Sequence, residues 1–230
     1  MQQSRWVACE PLHEKSRAHS FFSNIPSTER IPELFATDKE MCDPSLVWHL
    51  FANGLSLASL KKQLALCRTN AEKVACLIAR NAQGTPGLYM ALQDNHAHTL
   101  CSLISIIREA MQQGWLNSEQ LNEILAAKNT QGVPGLYIAL QEGHADAIIA
   151  FGELMQVTLQ EHYLTTQQIE KLLLAEKANG IQGVQMALKN GHNKAIFAFS
   201  TTKKIIKELF NSLHTAGPLS TIESVSSTLS

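Results

Sequence analysis

The chain is poor in charge, in aromatic rings and in long apolar runs, and each shortage closes off a class of function. Asp, Glu, Lys and Arg make up 17% of its 230 residues, Phe, Trp and Tyr 6%, and the formal net charge is -1. A protein that grips nucleic acid or an anionic membrane surface needs a cationic excess or a basic stripe. Neither is present, so no nucleic-acid partner is expected. The one basic cluster, Lys203, Lys204 and Lys207, reads as a solvated helix face. No segment reaches the roughly 18 uninterrupted apolar residues of a membrane span, so no membrane span is expected. Arg5, Glu10, Glu14, Lys15 and Arg17 break up the stretch where a cleavable signal would be apolar. If the protein is exported, its route reads no such signal.

Paired cysteine spacings are missing as well. Cys9, Cys42, Cys67, Cys76 and Cys101 are odd in number and scattered, without the close pairs of a zinc site. No metal and no cofactor are expected, and the pattern suits a reducing compartment. Cys67, Cys76 and Cys101 fall within helical apolar patterns and read as small core residues. Cys9 and Cys42, with His13, His19 and His49, could in principle furnish a nucleophile and base. Their spacing matches no nucleophile motif, and about 45 residues can hardly pre-organise a catalytic site. No catalytic residue is assigned.

What the chain does have is repetition. With 45% apolar residues, it can build one compact domain or one short array. "QGTPGLYMALQDNHA" from Gln83 returns as "QGVPGLYIALQEGHA" from Gln131. Between Arg80–His98 and Lys128–Asp146, 12 of 19 positions are identical. Gly84, Gly132 and Gly180 are 48 residues apart, as are Gly87, Gly135 and Gly183, and His96, His144 and His192. The third copy keeps mainly the glycines, the Ala-Leu pair and the histidine; it has drifted, or it caps the array. A period of this length marks an internal repeat whose units bury their apolar faces only by stacking.

Each unit reads as three helices. The first opens at a turn glycine with Pro86 or Pro134 at the first helical position and runs to Asn95, Gly143 or Gly191, residues that tolerate a left-handed end. The second, from Ala97 to about Gln112, sets Leu100, Leu103, Ile104, Ile107 and Met111 on one face. The third is announced by Asn117 and Thr165, each followed three residues later by Gln120 or Gln168 as in a capping box. "NAEKVACLIARN", from Asn70, fits the same slot, so the array begins with a helical half-unit. The expected fold is an all-α repeat solenoid with a 48-residue period over residues 44–214. Residues 1–43 read as a flexible leader, a candidate secretion or chaperone-binding segment, and residues 215–230 as a disordered Ser/Thr-rich tail.

A stacked array presents equivalent positions along one face, and that suits binding. Gln83, Gln93, Asp94 and His98, with Gln131, Gln141, Glu142 and Asp146, occupy the turns and helix ends and are the candidate partner-binding residues. Gly84, Pro86, Gly87, Gly132, Pro134, Gly135, Gly180 and Gly183 define the repeat. His96, His144 and His192 read as structural residues at helix starts, not metal ligands. Tyr89 and Tyr137 read as packing residues with hydroxyls reaching the surface; an exposed tyrosine row would suit recognition.

The string Gly-Thr-Pro-Gly-Leu-Tyr-Met-Ala-Leu, closed by Asn95 and His96, resembles the ankyrin pattern "G-T-P-L-H-x-A-x-x-x-G-H", with Gly87 inserted and Tyr89 in place of the first histidine. The period departs from the ankyrin 33 residues, and an extra helix accounts for the difference. More specifically, "GTPGLYMALQDNHAHTL" and "GVPGLYIALQEGHADAI" resemble the C-terminal ankyrin-like region of the enterotoxin-related type III secretion effectors of enteric bacteria, the OspC, OspD and EspL group. That resemblance implies residence in the bacterial cytoplasm, possible help from a secretion chaperone, and injection into a host cell where a host protein is the partner. The larger relatives carry a cysteine protease or an arginine-modifying ADP-riboxanase ahead of the repeats. Here the repeat signal starts near residue 70, and the chemistry is not carried over. Two expectations stand: a non-enzymatic interaction module, or a truncated or split member of those enzymes that keeps the substrate-recognition repeats.

Overall fold

The computed structural model describes residues 42–54 and 56–215. Among them are eleven helices and no strand, so the chain is all-α there. α1 (Pro44–Ala52), α2 (Leu57–Ala65) and α3 (Asn70–Leu77) are followed by α4 (Gly87–Gln93), α5 (Ala97–Gln112) and α6 (Ser118–Ala126). Then come α7 (Gly135–Glu142), α8 (Ala145–Gln160), α9 (Thr166–Leu173), α10 (Gly183–Lys189) and α11 (Asn193–Thr215). The expected tail, and the expected leader apart from Cys42 and Asp43, lie outside the described residues but for Thr215, as do Cys9, His13 and His19. No helix among the described residues is long and apolar enough to cross a membrane.

The short helices α3, α6 and α9 each start with a complete capping box. Thr69, Asn117 and Thr165 accept from the backbone N–H three residues on, and Glu72, Gln120 and Gln168 reach back to the cap residue. Two otherwise free amide donors are satisfied reciprocally at each start. The prolines are displaced from the expected position: Pro86 and Pro134 are the residues before the first helical turn, with extended backbone, and α4 and α7 begin at Gly87 and Gly135. The reason is a small ladder. Arg80 bridges Pro86, Lys128 bridges Pro134 and Glu176 bridges Gln182, which holds each cap residue extended while its carbonyl accepts the first helical bonds.

The helices pack in rows. α1, α4, α7 and α10 lie side by side, each against the next, and α2, α5, α8 and α11 form a second row. α6 packs on α9, and α9 also touches α8. Between the rows runs a continuous apolar core that includes Phe51, Leu88, Leu92, Leu103, Tyr137, Leu140 and Phe151, all buried.

Spacing along the first row is set by glycine. A Cβ at Gly87 would meet Phe51 Cβ at 2.8 Å; one at Gly135 would meet Leu92 Cδ1 at 2.7 Å and the Tyr89 Cα at 3.2 Å; one at Gly183 would meet Leu140 Cδ1 at 2.9 Å and the Tyr137 Cα at 3.0 Å. Backbone thus approaches backbone at the starts of α7 and α10, while at the start of α4 the glycine makes room for the Phe51 side chain of α1. Across the second row, Arg108 on α5 holds Glu161, just past α8, at 2.6 Å, and Tyr163 donates to the other carboxylate oxygen at 2.6 Å.

Two predictions follow from these contacts. Gly135→Ala overpacks the α4–α7 contact and should lower stability by roughly 1–3 kcal/mol in urea unfolding; an unchanged midpoint would mean that the helices separate without cost. The Tyr163 hydroxyl and the Arg108 guanidinium hold the Glu161 carboxyl below its ordinary range. A carboxylate lowered on folding stabilises above its unfolded pKa and loses that contribution as pH falls through the folded value. Wild type should therefore exceed Glu161→Gln at pH 7, by less than about 1 kcal/mol for so open a pair, and the gap should close in melts run below about pH 4.

Candidate partner-binding surfaces

The candidate binding residues are set by the loop before each first-row helix and by the turn after it. Asn81 Oδ1 accepts from the backbone N–H groups of Gln83 and Thr85, and Asn129 Oδ1 accepts from those of Gln131 and Val133, at 2.9–3.0 Å. Each asparagine closes its loop and leaves the glutamine exposed. Arg80 Nη1 donates to Gly84 O at 2.8 Å and to Lys128 O at 2.7 Å, tying one loop to the next. At the other end of α4 and α7, Gln93, Asp94 and Glu142 border a shallow hollow of about 340 Å³ together with Ile138 and His144. Gln141 donates to Glu142 at 2.9 Å, and its carbonyl accepts from Asn190 at 3.0 Å. His98 and Asp146 are exposed in the first turns of α5 and α8.

Gln83 and Gln131 are thus separated from the other six residues by the length of a short helix, about 10 Å. The structure gathers Gln93, Asp94 and Glu142 around one hollow and places the two loop glutamines at the opposite helix ends.

The histidines fit against the preceding turn of their row. His96 Nε2 lies 3.0 Å from Ala52 O, and its ring fills the space a Cβ on Gly54 would need, as the His192 ring does at Gly143. Gly143 has φ +82°, so this turn requires glycine both for its left-handed backbone and for the close ring. In the equivalent turn Asn95 takes φ 60°, and its side chain accepts from the Ala147 N–H at 3.0 Å. Tyr89 and Tyr137 are buried, so they form no exposed tyrosine row. Asn129 donates to the Tyr89 hydroxyl at 3.4 Å, and Lys177 Nζ sits 4.3 Å above the Tyr137 ring.

A larger surface lies where the row of helices runs out. α9 and α11 border an open cleft of about 1020 Å³ whose apolar lining includes Leu173, Leu174, Ile206 and Phe210 and whose rim carries Lys171, Lys203, Lys204 and Lys207. Position by position, Lys203 and Lys207 stand 48 residues after Met155 and Leu159, which are buried. The lysines are solvated, as their clustering suggested, but they also line a concavity; the signal that finds it is the loss of apolar residues at positions apolar in the preceding copy. A related change exposes Leu188. Leu92 and Leu140 are each covered by the glycine that opens the next helix, whereas Leu188 is 61% exposed and Phe197 74%.

The chain matches no protein-family model and no curated protein.

The cysteines correct the sequence reading most. Cys67 and Cys76 are buried as expected, but they are not independent core residues. Cys42 Sγ is in bonding contact with Cys67 Sγ, and Cys76 Sγ lies 2.7 Å from Cys42 Sγ and 3.6 Å from Cys67 Sγ. The expectation of no metal-ligating group thus meets a cluster of three sulfurs that could hold an ion. The three cysteines stand 25 and 9 residues apart in sequence, and the packing of α1 against α2 and α3 brings them together. Burial, with the Asp43 and Glu72 carboxylates nearby, pushes the Cys76 thiol up to about 11, so at neutral pH it is protonated and a poor nucleophile. In reduced, metal-free protein, iodoacetamide at pH 7.5 should therefore label half-exposed Cys42 well before Cys76, by peptide mass spectrometry. Equal rates would contradict this placement.

Proposed function

We propose that this chain is the protein-interaction module of a type III secreted effector of the enterotoxin-related group, an ankyrin-like helical repeat solenoid with a 48-residue period and about three helices per unit. It leaves the bacterial cytoplasm without a cleaved signal, with a secretion chaperone as one available partner, and binds a host protein in the host cell. The near-identity of the first two copies supports the repeat reading, together with the openings of α4, α7 and α10 at Gly87, Gly135 and Gly183.

The observation that carries the binding function is the lysine-rimmed cleft between α9 and α11. A volume near 1020 Å³ compares with about two turns of helix, taken as a cylinder ~10 Å across with a 5.4 Å pitch. A helix is the natural occupant, because α9 itself packs against α6 and α8, the helices 48 residues before α9 and α11. The preferred partner segment is an acidic amphipathic helix. Its apolar side would meet Leu173, Leu174, Ile206 and Phe210, and its carboxylates would meet the four lysines. The hollow bordered by Gln93, Asp94 and Glu142 is a second, more polar contact.

The test is affinity purification of the tagged chain from epithelial cells, followed by binding measurements with the purified partner. The double variant Lys203→Glu, Lys207→Glu should weaken binding by tenfold or more with unchanged helix content, and wild-type affinity should fall as salt rises. If binding survives this reversal and disappears instead on joint substitution of Gln93, Asp94, Gln141 and Glu142, the site lies at the helix ends. A partner bound equally by both variants would defeat both assignments.

A further inference from the structure

The three sulfurs of Cys42, Cys67 and Cys76 crowd together more than a disulfide requires. One sulfur forms one disulfide, yet Cys42 Sγ touches Cys67 Sγ and also has Cys76 Sγ at 2.7 Å, closer than unbonded sulfurs rest. The three side chains come from three separate elements: the residue ahead of Asp43, which caps α1; the turn after α2; and the buried face of α3. An arrangement that draws thiols from three elements onto one point is what a shared cation produces.

We propose that Cys42, Cys67 and Cys76 form a three-thiolate site for a thiophilic d10 metal ion, zinc(II), which fastens α1, α2 and α3 to one another. With Zn–S bonds near 2.3 Å, sulfurs around one tetrahedral ion stand about 3.8 Å apart. Cys67 and Cys76 already stand 3.6 Å apart. Only Cys42 has to withdraw, by roughly 1 Å from the Cys76 sulfur to reach that zinc separation, and it is the half-buried member, ahead of α1 and outside any helix. Its partial exposure also provides an entry path for an ion. Asp43 follows Cys42 directly and Glu72 stands one helical turn before Cys76 on α3, and their negative charge favours a cation there. On binding, three S–H bonds break, three Zn–S bonds form, and the three protons pass to solvent. No electron is transferred, provided the cysteines are reduced, as they are in a reducing cytoplasm.

The experiment uses the full chain, reduced with a phosphine that does not bind zinc, stripped of metal and titrated with Zn²⁺ in competition with a chromophoric chelator. Co²⁺ serves as the spectroscopic probe. One zinc per chain should bind, Co²⁺ should add a sulfur-to-metal charge-transfer band in the near ultraviolet, and zinc should raise the melting temperature. Cys76→Ser should weaken zinc binding by 100-fold or more and abolish the band, while Cys101→Ser should change neither. Should Cys76→Ser fail to fold, half-exposed Cys42→Ser makes the same test, with helix content checked by circular dichroism. Zinc affinity equal in wild type and Cys42→Ser, or Co²⁺ binding without a sulfur band, would overturn the proposal. So would a Cys42–Cys67 disulfide re-forming in air while one equivalent of zinc is present.

Discussion

Everything in this structure depends on how closely the first-row helices approach one another. Gly87, Gly135 and Gly183 each sit where an added Cβ would meet the preceding helix at under 3.0 Å. With the methyl absent, α4 rests on the Phe51 side chain of α1, and α7 on α4 and α10 on α7 with backbone nearly in contact. That distance lets His96 reach Ala52 O and lets the His192 ring cover Gly143. It also lets Arg80 span two consecutive loops. A wider spacing would break all three at once. The glycine that looks like an insertion within an ankyrin-type motif is therefore the residue that determines the pitch of the row.

Helices were legible in the sequence because their signals are local. Apolar residues at three- and four-residue spacing give α5 its Ala97–Gln112 span, and the capping boxes at Asn117 and Thr165 form as their side chains allow. Pro86 stands one residue ahead of the position that helix-capping preferences favour, because its bridge to Arg80 is a pairing across a turn that those preferences do not include. The cysteines were misread for a stronger version of the same reason. Their meeting depends on how α1 and α3 pack, so no window of sequence contains it. The cleft between α9 and α11 lies between these cases, since it becomes visible once Lys203 and Lys207 are compared with Met155 and Leu159.

Stacked helices leave the two ends of the row with unequal problems. At α10 no further first-row helix follows among the described residues, and the chain answers partly with polarity: Gln185 stands 48 residues after the buried Tyr137 and is exposed. The answer is incomplete, because Leu188, whose counterparts Leu92 and Leu140 are buried, remains open. An apolar side chain left open at the edge of an array is surface that a partner can cover. The proposed binding function therefore fits this end better than the middle of the row, where the equivalent Leu92 and Leu140 are buried.

At α1 the shortage is of mass. α1, α2 and α3 are helices of nine, nine and eight residues, and α1 packs against both of the others and against α4. Short helices draw most of their stability from tertiary contact, not from their own hydrogen bonds, so a group of three small ones gains from a further tie. Apolar side chains cannot supply it without lengthening the helices. Sulfur can, because one cation or one covalent bond joins distant segments through atoms that occupy almost no volume. The three cysteines lie within this group and draw on each of its segments, so the same positions would tie it in either chemical state. A metal site involves all three sulfurs, whereas a disulfide leaves one buried thiol pressed against it with nothing to do.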